Sequence, residues 1–506
     1  MKTRFLTILL CFCLLIGLFP VTAAAANPDA VDISGTDLVT ASEGFSSPKA
    51  LFDGQLLSGK ATADNASLTL EYADGIGSLY FLFDIPYGAF TITDNGTGSV
   101  HTAGTEGFLH DFVDLTAAFG AAPTSVTIRF ENGSVKLYEL YVYTEGNVPE
   151  NVQKWKIPAD DQTDLVLFSA HGDDEQLFFA GVLPYYAGEL GYQVQVVYLT
   201  DHRADNPTRI HEMLNGLWAV GVSAYPVFGS FPDFIIKHDI ALTYAIYKAR
   251  GYPRDMLLGF VVENLRRFKP LVAVTHDTNG EYGHGMHMVY ADLLMEAVTV
   301  ANDDSFHPES AEAFGLWDTP KTYLHLYEEN PIVMDWDQPL SNFDGMTAFE
   351  VTQQLGFPCH ASQFGDFAWY HTYAKTAKEI NLYNPCYYGL YRSTVGDDVQ
   401  KNDFFENLIS YGEQARIAEA ERLEAERLAA EEEARRLEEA RPAEEARLAE
   451  EEAQRQAELA AAEAARAAEE AARQRTFLAA AAAIGSILAV LLIIALLRRK
   501  KATSTR

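Results

Sequence analysis

The chain has 506 residues, more than one compact domain holds, and 48% of them are apolar, enough to build real cores. Its formal net charge of −33 excludes nucleic acid as a partner, because no surplus of Lys and Arg is there to neutralise phosphates. The amino terminus, "MKTRFLTILLCFCLLIGLFPVTAAAANPDA", sets Lys2 and Arg4 before an apolar run and a small-residue stretch ending near Ala26. That pattern predicts an export signal over 1–26 with an A-x-A cleavage site. An uncleaved anchor is the competing reading, and the short apolar core fits it less well. Cys11 and Cys13 lie inside this segment, so Cys359 and Cys386 alone belong to the mature chain, as one disulfide or as two thiols.

Residues 27–150 read as all-β. "SLTLEYA", "SLYFLFDI", "AFTITDNGTG", "SVTIRFENGS" and "KLYELYVYTEG" are short, aromatic and β-branched, and Asn-Gly and Gly-rich turns punctuate them. Close spacing of short strands predicts a sandwich of jelly-roll type. In pattern and position the segment resembles the discoidin-like carbohydrate-binding modules of exported glycan enzymes; a structural spacer is the other reading.

From residue 160 the style changes. Apolar strands "DLVLFSA", "QVQVVYLT", "AYPVFG" and "LVAVTHD" alternate with helical patterns such as "RIHEMLNGLWAVG" and the stretches ending at "LRRFKP". Alternation with nearly all-apolar strands predicts a parallel sheet covered on both faces, within a domain over 160–400. In such sheets ligands bind beyond the carboxyl ends of the strands.

Residues 405–475 are rich in Ala, Glu and Arg, a helical composition with Pro442 as its one conspicuous breaker. Leu437, Leu448 and Leu459 recur every 11 residues, which does not support a left-handed coiled coil. The expectation is a solvated single-helix stalk braced by Glu–Arg pairs, broken or kinked at Pro442; an oligomeric coiled coil is the alternative. Residues 477–497 then carry no charge and span about 32 Å as a helix, a bilayer's thickness. Arg498, Arg499, Lys500 and Lys501 follow, placing 498–506 in the cytoplasm by the positive-inside rule. Both ends predict a single-pass protein with its folded part at the cell surface.

Two strand ends carry the chemistry. "LVLFSAHGDDEQLFFAG", residues 165–181, leaves an apolar strand through His171, Asp173, Asp174 and Glu175. His and carboxylates suit zinc; acids there also cap a following helix. "LVAVTHDTNGEYGHGMHMVYADLL", residues 271–294, repeats the arrangement, and His284 and His287 are three apart, on one side of a first helical turn. Two such ends of one sheet facing a common crevice make a metal site.

"AHGDDE" and "HDTNGEYGHGMH" resemble the paired signatures of the zinc-dependent N-acetylglucosaminyl-phosphatidylinositol de-N-acetylases, the PIG-L or LmbE-like family, over about residues 160–365. The resemblance implies a Rossmann-like fold and removal of acetyl groups from amino sugars or related glycoconjugates. By position it implies zinc ligation by His171, Asp174 and His287, and general-base action by Asp173. His284 matches a residue that steadies the oxyanion or protonates the leaving amine. Tyr282 matches a tyrosine at the carbonyl oxygen, and Arg209, in "RIHEM", a substrate-binding arginine. "HASQ", residues 360–363, is similar to a short family segment. One position departs: Gly172 stands where the family has proline, which would loosen the ligand turn. Glu175 reads as structural, His276 and Asp277 as ordering the second loop, and Asp201, His202 and Arg203 either as crevice lining or as a solvated loop.

Three ligands leave a position for water, whose pKa zinc lowers from about 15.7 toward ~7. The expected activity is therefore zinc-dependent hydrolysis of the acetamide of N-acetylglucosamine-type sugars in an extracellular glycan. The alternatives are a glycan-binding adhesin with a silent deacetylase fold and a zinc amidase acting on a non-sugar substrate.

Overall fold

The computed structural model describes residues 28–55, 61–157, 160–202, 206–365 and 373–502. The export signal expected over 1–26 lies outside the described residues, as does Arg203. The chain divides into two units, Met1–Gln414 and Ala415–Arg506.

The first unit opens with seven antiparallel strands: β1 (Val39–Glu43), β2 (Ala61–Glu71), β3 (Ser78–Phe83), β4 (Phe90–Asp94), β5 (Val100–Ala103), β6 (His110–Asp114) and β7 (Ser125–Tyr143). Their order is β1-β2-β7-β3-β6, with β4 pairing β7 and β5. The 19-residue β7 is the spine. The sequence predicts two strands here, divided at Asn132-Gly133; instead the chain stays in the ladder and bulges. Phe130 pairs with Ala66 and Ser134 with Asp64, so residues 131–133 stand against Asn65 alone. Left-handed φ values at Gly133 and Asn65 absorb the mismatch, which lets Asn-Gly bend a strand rather than end it. Leu79, Phe81 and Phe83 of β3 enter the main core, while Tyr80 and Leu82 face the opposite side with Tyr138 and Tyr143.

A second sheet follows in the order β10-β9-β8-β11-β12-β14-β13. β8 (Leu165–Ser169), β9 (Val194–Thr200), β10 (Val227–Phe231), β11 (Val272–Thr275) and β12 (Lys321–His325) are mutually parallel. β13 (Pro331–Val333) and β14 (Tyr387–Ser393) close one edge antiparallel. Strand β10 starts three residues later than "AYPVFG" suggests, because Pro226 has no N–H to give the ladder. Both sheet faces are covered. Leu165 and Leu167 pack with Ile210, Leu214 and Leu217 of α1 (Pro207–Ala219). Val166 and Phe168 pack with α2 (Ile240–Ala249), α3 (Arg254–Phe268) and α4 (Gly285–Val300). That two-sided burial is why the strands read as unbroken apolar runs.

Helix α5 (Tyr411–Ala502) continues through Pro442, so the proline does not break it. Arg422, Arg427 and Arg447 each bridge glutamates three residues before and four residues after. Its carboxyl-terminal part is long and apolar enough to cross a membrane by length and composition. Cys359 and Cys386 are free thiols.

Candidate metal centre

The carboxyl ends of all five parallel strands contribute to one cluster: His171 after β8, His202 after β9, Asp233 after β10, His276 and Glu281 after β11, and His325 closing β12. Of these, all but the half-buried Asp233 are buried.

Three ligand atoms form its centre. His171 Nδ1 lies 3.0 Å from Asp174 Oδ2 and 3.2 Å from His287 Nε2, and those two are 3.2 Å apart. Three ligands about 2.0–2.1 Å from one tetrahedral ion lie about 3.3–3.4 Å from each other, so the trio fits a divalent ion with a few tenths of an ångström of expansion. The charges fit as well. Burial opposes the imidazolium of His171, yet Asp233 and Asp174 push its pKa up to about 10. Burial likewise opposes that of His287, which Asp174 and Glu281 raise to about 9. Burial would raise Asp174, but the two imidazoles hold it well below the carboxylate range. The carboxylates thus favour positive charge at this point, which a metal ion could supply in place of protons.

Two groupings of buried possible ligand residues overlap this trio: His171, His284 and His287, and Asp174, His276 and His287. His276 is committed elsewhere: its Nε2 accepts from the Ala170 N–H at 2.9 Å and its Nδ1 faces Glu281 at 2.9 Å.

Glu281 is the organiser that sequence reasoning missed, although it lies inside the quoted "HDTNGEYGHGMH". Fully buried, its carboxylate meets His276 Nδ1 at 2.9 Å, His287 Nδ1 at 2.7 Å and His325 Nδ1 at 2.6 Å, and accepts from the Asp277 N–H at 3.2 Å. Accepting from His287 Nδ1 fixes the tautomer that turns Nε2 to the centre. Asp233 was missed too. Its Oδ1 stands 3.3 Å from His171 Nε2 and 3.8 Å from His284 Nε2. An acid two residues beyond an apolar strand was the available signal, hidden because the strand end was placed too early.

His284 caps α4: its Nδ1 accepts from the Met286 N–H at 3.3 Å, so Nε2 carries the proton and faces Asp233. Burial and the positive charge on His171 and His287 push its pKa down to about 2. Tyr282, at φ 48°, stacks its ring edge-on within 5.5 Å of His284 and 5.4 Å of His287.

Asp173 stands beside the trio. Arg209 reaches it from α1, with one nitrogen 3.3 Å from Asp173 Oδ2 and 3.0 Å from the Gly172 carbonyl oxygen. Burial, opposed by Arg209 and aided by Asp174, raises the Asp173 carboxyl to about 7. His202 is buried, not a solvated loop residue. Its Nδ1 lies 3.3 Å from Arg209 and its Nε2 3.1 Å from Thr200 Oγ1. Glu175 accepts from the Asp173 N–H at 2.9 Å and pairs with His360 at 3.0 Å, which gives "HASQ" a place: it holds the first loop from behind.

Gly172 is not there for looseness. Its φ is not left-handed. A Cβ on it would overlap the buried Met213 side chain of α1. Gly172→Pro is therefore expected to lower stability by about 1–3 kcal/mol through overpacking, and Gly172→Pro/Met213→Ala to recover most of the loss, as thermal melts would report. An unchanged melt in Gly172→Pro would mean that Met213 does not fill this space.

Comparison with known proteins places this geometry. The family described as GlcNAc-PI de-N-acetylase, PIG-L, matches residues 166–298. Relatives include a 1D-myo-inositol 2-acetamido-2-deoxy-alpha-D-glucopyranoside deacetylase 1 from Catenulispora acidiphila, 28% identical over 38% of this chain and 65% of that protein. Deacetylases of the same description from Rhodococcus erythropolis and Streptomyces avermitilis are 32% and 24% identical, over 33% and 48% of this chain and 62% and 97% of theirs. The chain thus spans less than two thirds of the first two relatives. Among solved structures, an N,N'-diacetylchitobiose deacetylase from Pyrococcus horikoshii aligns with a TM-score of 0.33 and 16% identity, over 45% of this chain and 83% of that one. Motif order, strand placement and the family match agree: the chain carries a PIG-L family domain at residues 166–298.

Proposed function

We propose that this protein is a zinc-dependent de-N-acetylase that hydrolyses the acetamide of N-acetylglucosamine-type sugars in an extracellular glycan, tethered at the cell surface by its carboxyl-terminal helix. The observation that carries the reading is the triangle of His171, Asp174 and His287 with the spare carboxylate of Asp173 beside it. The parallel order β10-β9-β8-β11-β12 supports a Rossmann-like reading of the catalytic domain, and the β7-centred sheet a jelly-roll-like one of the first domain.

His171, Asp174 and His287 would hold the ion, which supplies the positive charge that acidifies water and polarises a carbonyl. The rest belongs to the chain. Asp173 takes the proton of the attacking water, with Arg209 holding the carboxylate in place. Arg209 also offers the substrate a cation at the crevice wall. His284, with its Nε2–H directed by Asp233, and the Tyr282 hydroxyl stabilise the developing oxyanion. The proton that Asp173 has taken is then returned to the departing amine. The long α5 serves as a stalk, and the run Arg498–Lys501 sets its orientation.

The purified full chain is expected to retain about one zinc and to release acetate from N-acetylglucosamine oligosaccharides until a chelator is added. Acetate release by fully chelated protein would overturn the metal's role, and its absence from loaded protein across mucin-type and cell-wall glycans would overturn the reaction.

A further inference from the structure

A cavity of about 660 Å³ lies in the first unit between the outer face of the β-strands and the end of α1, and no residue of the metal centre lines it. Strand register builds one wall. Tyr80 stands opposite Tyr141, and Leu82 opposite Glu139, so the period of two brings Glu139, Tyr141, Tyr143, Tyr80 and Leu82 to one face. The Tyr80 and Tyr141 rings are 6.0 Å apart. The other wall is Asn215, Trp218 and Ala219 from the last turns of α1, with Gln354 and Leu355. Trp218 is fixed by donating Nε1–H to the Glu150 carbonyl oxygen at 2.7 Å.

Charge narrows the ligand. Glu139 and Glu150 line the cavity, and among its described lining residues there is no Lys or Arg. Burial and the histidine partner His211 hold His110 neutral, so it adds no positive charge. Glu139 Oε1 accepts from the Gln55 N–H at 2.9 Å; burial and the neighbouring Asp53 raise its carboxyl to about 7 against the backbone N–H groups of Gly54 and Gln55, and a cation seated beside it would favour the charged form. Aromatic rings flanking carboxylates attract an organic cation, both by charge and through the ring faces. Side-chain amides of Asn215, Gln354 and Asn151 add hydrogen-bonding groups for hydroxyls. The volume lies in the range of small-molecule sites.

We propose that this cavity binds a protonated amino sugar, the group that loss of an acetyl leaves behind, and so retains a glycan that has already been processed. The inference rests on the proposed function. It also gives α1 two ends of use: Arg209 at the metal centre and, about 14 Å further along, Trp218 at the cavity.

The test is calorimetric titration of the full chain in detergent micelles with a glucosamine tetrasaccharide, its fully N-acetylated form, a glucose tetrasaccharide and tetramethylammonium. The amino tetrasaccharide should bind at least ten-fold tighter than the other three. Trp218→Ala and Glu139→Gln/Glu150→Gln should each weaken it at least five-fold while leaving turnover of monomeric N-acetylglucosamine unchanged. His287→Ala should bind it as before, which separates the cavity from the catalytic crevice. Equal affinity for the sugars, tighter binding of tetramethylammonium, or unaltered binding in the Glu139→Gln/Glu150→Gln variant would overturn the proposal, even if Trp218→Ala fails to fold. Binding with no acetate release on any substrate supports the cavity and overturns the deacetylase reading.

Discussion

Asp173→Asn is expected to lower kcat by about 10²–10⁴-fold while the protein keeps its metal content and its fold. The amide is the same size and still meets Arg209, but it cannot take a proton. Asp173 lies 3.3 Å from that guanidinium, and its carboxyl belongs to no side of the ligand triangle, so metal analysis should read the same as for the wild type. The pH profile gives a second readout. Burial raises the Asp173 carboxyl to about 7 without an ion, and a bound cation's charge pulls it lower. Wild-type kcat should therefore fall as pH drops through a value below 7, and the residual activity of Asp173→Asn should lack that acid limb. Near-normal turnover in the variant would remove Asp173 from its role.

His287→Ala is expected to lose both bound metal and all measurable acetate release, because it deletes one of the three proposed ligand atoms, which lie within 3.2 Å of each other. Glu281→Gln should behave differently. The ligand atoms survive, but the carboxylate that fixes the His287 tautomer becomes an amide, and metal affinity should fall about 10–100-fold. Added zinc should then restore turnover in Glu281→Gln and leave His287→Ala silent. Equal rescue of both variants would show that His287 is not a ligand. Binding should also tighten as pH rises, since His171 and His287, raised to about 10 and about 9, must lose their protons to take an ion.

How far the sequence foretells this arrangement depends on where each signal is written. His171, Asp174, His284 and His287 were legible because each sits directly after an apolar strand or in the first turn of a helix, where local pattern fixes position. Parallel pairing was legible for the same reason: strands buried on both faces cannot alternate. The partners that orient these groups were not legible. His325 and His360 reach the centre from sequence positions 38 and more residues beyond His287, and only tertiary packing brings them to Glu281 and Glu175. Asp233 was masked because "AYPVFG" stops at Gly229 while β10 runs on to Phe231. Gly172 reads as a loosened proline site in one dimension, whereas in space it is the room that Met213 occupies. Asn132-Gly133 shows the converse error, since turn chemistry was read correctly but the flanking ladder on β2 absorbs it.

Glu281 ties together the ends of β11 and β12 and the start of α4 with hydrogen bonds that involve no ion. One buried side chain therefore holds three segments in register, so a change there would be felt in the stability of the sheet end as well as at the centre itself.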